Sequence, residues 1–505
     1  MNRTFRAAAV AGVWSTALAV ALGTAMTVVA AEGTNDGRES VLAEASPVRT
    51  DIVWESLRRG EEAKVQMAQF QLPKAGSGEE GPIKHLPRRL TYQYSFGSES
   101  EILYRNDPDL NAGVQDNYLF VIPELNGTVV YRPTDWMDTT LEMILERVFP
   151  VQEESTVILP NGETQAASDQ HLSLLVDQAF VTIKGFTAPF KFHVGRRNYE
   201  DERHWLYDTS MDVASVSLRK GHVRAEASVG RAVLLDLDLL ISEEKDRINT
   251  YILYAEYRGI ENLKFDAYTV YRDDRSREEG RPLLMGVSGQ GSPSGDFSYW
   301  TRFSYLLGSD EANKNFSAYA VEVGGTYRFP GLPYHPNVTL GYAFATGDGN
   351  HNDNRNTEFR QTGLQSNEAK FAGVSDLLVY GETLDPELSN LGIFTAGFGF
   401  RPTPTVTVDF IYHHYRLDEI AEEIRNSPIT ALMNQDDTKL SKEVGQAFDI
   451  VLGVRNLFGV RRLGVDLRMG WFFPGNAFRI EGGDPDNPIF RPADIGSSIV
   501  AKFWY

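Results

Sequence analysis

The stretch "RRLGVDLRMGWFF", residues 461–473, alternates without a break. Leu463, Val465, Leu467, Met469, Trp471 and Phe473 fall on one side, and Gly464, Asp466, Arg468 and Gly470 on the other. A period of two places successive side chains on opposite faces of a β-strand. The same grammar recurs in "AFDIVLGVRNLF", "VTVDFIYHHY", "FSYWTRFSYLL", "AYAVEVGGTYRF" and "NLKFDAYTVYRD". Each reads as a strand with one apolar face and one face that carries charge.

About eighteen such strands fit between 89 and 505, the first near 89–101, two neighbours near 211–219 and 222–235, and the last near 496–505. Period two alone fits a soluble sandwich as well as a membrane barrel, so the connections decide. One set is tight or proline-bearing, as in "PTDWM", "GFTAP", "KG", "PGLPYH" and "PT"; the other is mostly longer and polar, largest at 347–388, 417–443 and 474–495. Short turns at one end and long loops at the other, on an even number of strands, predict an all-β, transmembrane antiparallel barrel of the outer-membrane type. Closure also leaves no strand edge exposed. Tyr131, Tyr257, Tyr271, Tyr327, Tyr412 and Trp471 fall near strand ends, where an interfacial ring can be half wet.

Upstream, Arg3 and Arg6 precede the apolar run "AAAVAGVWSTALAVALGTAMTVVA", which reads as a secretory signal peptide over 1–31. Residues 32–87 are polar and without alternation, and are expected to form a periplasmic arm that either plugs the lumen or contacts a secretion partner; residues 88–505 would form the barrel. The ending "SSIVAKFWY" places Ile499, Ala501, Phe503 and Tyr505 toward lipid and Ser498, Val500, Lys502 and Trp504 toward the lumen. An aromatic end after alternating apolar residues resembles the signal read by the barrel insertion machinery. The chain has no cysteine, which excludes disulfides and thiolate metal sites, and no "GxxxxGK[ST]", so any transport is passive.

By parity the lumen would hold Arg132, Lys191, Arg197, Arg219, Arg302, Arg455 and Arg468, with further basic residues outnumbering inward acids such as Glu226, Glu322, Asp409, Asp449 and Asp466. The formal net charge of −20 must then reside mainly in loops and the arm. A basic surplus inside a low-dielectric wall would focus a positive field on a passing anion. The same charges could instead pair with one another as a lattice that stiffens the wall.

Three stretches carry a family resemblance: "EILYRNDPDLNAGVQDNYLFVIPELNGTVVYRPTDWMDTTLEM", "FHVGRRNYEDERHWLYDTSMDVASVSLR" and "FRQTGLQSNEAKFAGVSDLLVYGETLDPELSNLGIF". In this order they resemble the alginate export family of outer-membrane barrels. The resemblance implies an eighteen-stranded barrel whose arginine-rich lumen passes a uronate polymer, an anionic polysaccharide, across the outer membrane. It carries over Arg105, Asp109, Arg132, Arg196, Arg203, Asp208 and Asp212 as lumen residues, the acids moderating the arginines. Alternation puts Arg197 rather than Arg196 inward, so the choice between those two stays open. Arginine suits the implied cargo, because its planar fork binds a carboxylate bidentately and keeps its charge.

An uptake porin for small carboxylates would share the barrel and the basic lumen, and an outer-membrane hydrolase is the alternative from another class. No nucleic acid, cofactor or metal is expected. His413 and His414 point to opposite faces of one strand, which is poor metal geometry, and "TGDGNHNDNRN" at 346–356 lacks EF-hand spacing.

Overall fold

The computed structural model describes residues 84–85 and 91–505, apart from 113–116, 153–155, 159–163, 167–171, 186–188, 236, 242–245, 275–279 and 485–486. The chain divides between residues 65 and 66 into two units, and the second, Gln66–Tyr505, holds every described residue. The signal peptide and nearly all of the arm lie outside the described residues.

Eighteen strands among the described residues build the wall. They are β1 Thr91–Asn106, β2 Tyr118–Thr134, β3 Met137–Arg147, β4 Leu172–Lys184, β5 Phe190–Glu200 and β6 Asp208–Lys220. There follow β7 Val223–Arg231, β8 Ile248–Tyr257, β9 Leu263–Asp274, β10 Arg281–Gly291, β11 Phe297–Ser309 and β12 Ala318–Arg328. The last six are β13 Asn337–Ala345, β14 Leu391–Thr403, β15 Val406–Leu417, β16 Glu443–Arg455, β17 Gly464–Pro474 and β18 Gly496–Trp504. Every wall strand pairs antiparallel with its neighbours in sequence, and β18 returns to β1, with Trp504 opposite Glu99 and Ser498 opposite Arg105. Closure pairs the backbone of both terminal strands, a requirement in lipid, where no water is present to satisfy it.

Local chemistry sets the turns. Lys220 pairs directly with Val223, leaving Gly221 and His222 as a two-residue hairpin, and Gly221 sits at φ +57. Positive φ at the first turn position is what a tight hairpin on twisted strands needs and what glycine supplies without strain. The short turns mark the periplasmic end.

Alternation holds along the wall. In β17 the residues Gly464, Asp466, Arg468 and Gly470 are buried while Val465, Leu467, Met469 and Trp471 are half-buried. Outward residues such as Leu125, Val194, Leu253 and Leu340 are exposed, as a lipid-facing surface must be. The largest buried apolar cluster lies inside the barrel, built from Trp205, Phe359, Tyr380, Leu384, Tyr415 and Phe472. Boundaries differ from the sequence reading by up to five residues: β1 ends at Asn106 rather than 101, β6 begins at Asp208 rather than 211, and β7 ends at Arg231 rather than 235. The chain leaves the wall after Arg231 because the Asp212 carboxylate accepts the N–H groups of Leu234 and Leu235, drawing 232–235 over β6.

Candidate lumen site

The register fixes which arginines share the inner face. Arg197 on β5 donates to Glu226 on β7 over 2.8 Å and to Ser215 on β6 over 3.4 Å, and Arg224 reaches the same glutamate at 3.0 Å. Arg302 on β11 donates to Asp201 over 3.0 Å. The other oxygen of Asp201 accepts the N–H groups of Leu206, at 2.7 Å, and Tyr207, at 3.3 Å. One carboxylate thus folds the 201–207 loop and neutralises a wall arginine. Arg203, from that loop, donates to Glu322 on β12 over 3.0 Å and stacks on Trp300 at 4.2 Å, while Arg302 stacks on Trp205 at 4.6 Å. All of these charged groups except Arg224 are nine-tenths buried or more. Buried charges persist when each has a partner, and deleting one partner strands the other.

A second group lies at the periplasmic end. Arg132 and Lys184 share Asp138, at 3.5 and 2.8 Å. Lys191 stands opposite Lys184, and Arg219 opposite Arg224. Arg455 pairs with Asp466 at 2.7 Å and lies over the Trp504 ring at 4.3 Å; Lys502 pairs with Glu101 at 3.0 Å. Lys502 and Trp504 therefore face inward, as their parity requires.

The connection at 346–390 turns into the barrel. Arg468 on β17 holds Glu368 at 2.7 Å and Glu382 at 3.5 Å, and Arg105 on β1 donates to the Thr383 carbonyl over 3.0 Å. Deeper, the Ser375 hydroxyl meets Asp466, Arg455 meets the Val374 carbonyl, and Arg401 donates to the Ala372 carbonyl over 2.8 Å. Arg401, Arg455 and Asp466 all lie within two residues of the short-turn ends of their strands. The tip at 372–376 therefore runs down the inside of the wall from the long-loop end to the periplasmic end. Gly381 makes this approach possible: it sits at φ +108, and a Cβ there would lie 2.2 Å from the Tyr415 hydroxyl.

At the long-loop end His204 contacts Asp208 at 3.0 Å, and Ser366 donates to the same carboxylate over 2.7 Å. Burial works against a charge on His204, but the hydrogen bond and charge of Asp208 outweigh it and raise the imidazole to about 9. Asp208 thus ties the 201–207 loop to the inserted segment. Asp109 accepts the N–H of Asn111 over 2.9 Å within its own loop. Arg196 and Asp212 pair at 3.4 Å, but on the opposite face of the wall from Arg197 and Glu226, so the sequence expectation that they line the lumen does not hold for them. Of the partners that sequence reading did not single out, Asp138 and Glu101 lie on β3 and β1, while Asp201, Glu368 and Glu382 lie outside the wall strands, where alternation gives no sign of direction.

Thr395, His413 and Asp449 form a hydroxyl–imidazole–carboxylate row, at 3.0 and 3.3 Å. Their exposures are 6%, 0% and 1%, and Asp449 also accepts the N–H of Glu382 over 3.3 Å. His414 faces the other way, toward Glu443 at 3.8 Å.

A family model described as alginate export matches residues 86–490. The chain belongs to the alginate export family. Among this family member's relatives is the alginate production protein AlgE of Pseudomonas aeruginosa, 23% identical over 364 residues, which cover 64% of this chain and 70% of that protein. The protein of the same name in Azotobacter vinelandii is 27% identical over 168 residues, 30% of this chain and about a third, 34%, of that protein. Solved structures with the same fold include two from Pseudomonas aeruginosa, each covering 82% of this chain. They are OccK11 (OpdR), with a TM-score of 0.51 at 11% identity over 95% of its chain, and OccK2 (OpdF) in complex with glucuronate, with 0.51 at 11% over 97%. This alginate export barrel is therefore an outer-membrane protein.

Proposed function

We propose that the barrel is a passive conduit through which an alginate-like polyuronate leaves the periplasm, carried from one inner arginine to the next. The observation that carries this reading is the row Arg197–Glu226, Arg302–Asp201, Arg203–Glu322 and Arg468–Glu368, in which each guanidinium already holds a carboxylate. A uronate residue offers the same group, so it can exchange with the protein's own acid without leaving a buried charge unpaired. Conduction needs many weak sites rather than one strong one, and competition from built-in carboxylates keeps each site weak. The relatives named for alginate production support the cargo.

The inserted segment 346–390 then acts as an internal stand-in for cargo: Glu368 and Glu382 occupy Arg468 until a polymer carboxylate replaces them. Purified protein in a planar bilayer tests this reading. Oligouronates added on the periplasmic side should block the current in discrete events whose duration grows with chain length. Neutral oligosaccharides of the same length should not.

A second reading, uptake of small carboxylates, is favoured by the space the inserted segment takes from the lumen and by the glucuronate bound in OccK2. It predicts permeation by a monomeric uronate and no length dependence of block. Neither reading assigns the protein a reaction of its own.

A further inference from the structure

The Arg196–Asp212 pair lies where a barrel of this class should carry no charge. Phe192 and Val194 share its parity on β5 and are 48% and 60% exposed, as lipid-facing residues are. From Phe190 to Arg196 is ~20 Å along a strand rising ~3.3 Å per residue. At a tilt of 35–45° that is roughly 15 Å along the membrane normal, inside an apolar band about 25 Å tall. A guanidinium and a carboxylate facing acyl chains at that level are costly. Both are nevertheless more than nine-tenths buried.

What covers them are residues 232–235, and residues 237–241 follow beside β4. Arg196 donates to the carbonyls of Ala232, over 2.8 Å, and Ser210, over 3.0 Å. Asp212 accepts the N–H groups of Leu234, at 2.8 Å, and Leu235, at 3.0 Å. The segment also completes the wall. β5 pairs with β4 only from Ala179 onward, which leaves Leu172–Gln178 without a β5 neighbour. There the N–H of Val176 meets the Leu237 carbonyl, and the N–H of Leu239 meets the Leu174 carbonyl, both at 2.9 Å. Asp238 is buried and accepts the N–H groups of Leu174 and Leu240. Leu234, Leu235, Leu239, Leu240 and Ile241 remain between 45% and 67% exposed, beside the exposed Leu172 of the lipid-facing wall.

We propose that residues 232–235 and 237–241 form a flap inserted in the outer leaflet, their apolar side chains among lipid acyl chains, and that Arg196–Asp212 is the latch holding it rather than a cargo site. The occupant follows from continuity: the five side chains extend the lipid-facing surface across the gap between β4 and β5. The flap seals that seam and shields the latch from hydrocarbon.

The absence of cysteine makes the test clean. Leu235→Cys and Leu240→Cys would each be labelled with an environment-sensitive fluorophore and reconstituted in phosphatidylcholine vesicles, with Asn350→Cys on an exposed loop as control. Lipids carrying a nitroxide on the acyl chain should quench positions 235 and 240 several-fold more than 350, and aqueous iodide should do the reverse. Iodide quenching at 235 and 240 equal to that at 350 overturns the proposal, because the flap is then in water. Protection from both quenchers also overturns it, because the surface is then covered by protein such as a second copy. The latch is tested by Asp212→Asn, or by Leu235→Pro if that variant fails to fold, in the Leu240→Cys background. Release of the label toward iodide is expected, and unchanged lipid quenching overturns the latch assignment.

Discussion

The guanidinium of Arg468 lies 2.7 Å from the carboxylate of Glu368, a residue 100 positions away in the chain, and 3.5 Å from that of Glu382. A wall cation and two carboxyl groups of the inserted segment thus meet inside the barrel. Arg468→Glu should therefore turn an attractive site into a repulsive cluster and lower the anion preference, read as a shift of reversal potential in a salt gradient. A potential equal to wild type would remove Arg468 from the conduction path.

The close fit at Gly381 predicts a gain of conductance. Gly381→Val places a branched side chain at φ +108, against the Tyr415 hydroxyl, a conformation and a space that only glycine accepts. The inserted segment should lift from the wall while the strands remain paired, so single-channel conductance should rise several-fold at unchanged heat-modifiable mobility on gels.

Two ionisations point to loosening at alkaline pH. His204, raised to about 9 from an ordinary 6.5, contributes its bond to Asp208 fully below about 6.5 and loses it as pH rises through about 9. Burial, partly offset by Arg468, lifts Glu382 to about 8, so its favourable protonated form is lost as pH rises through that value. Conductance should thus increase between pH 7 and 10, and the increase should be smaller in His204→Gln and in Glu382→Gln.

Asp201 has two roles, and removing it exposes both. Asp201→Ala leaves Arg302 buried without its carboxylate, at a cost of about 3–5 kcal/mol, and frees the N–H groups of Leu206 and Tyr207. Urea unfolding followed by tryptophan fluorescence should show a lower midpoint. The 201–207 loop should become sensitive to added protease.

The wall was legible because its physics is periodic. Lipid on one side and a polar lumen on the other impose alternation on every strand, and so Lys502 and Trp504 fall inward as their parity requires. Parity also separates Arg197 from Arg196, although the family pattern carries only the latter. The interior was not legible for the converse reason. Phe359, Tyr380, Leu384 and Leu388 bury themselves inside the barrel from a segment with no regular period, so nothing local distinguishes them from an exposed polar loop. The acids that neutralise Arg302 and Arg468 come from such segments. Only the fold brings them together.

The export account is tested most directly by measuring uronic acid in the culture medium and in the periplasm of a strain from which the gene has been deleted. The account predicts that acidic polymer disappears from the medium, accumulates or is degraded in the periplasm, and returns to the medium on complementation with the wild-type chain. Normal secretion in the deletion strain would contradict it.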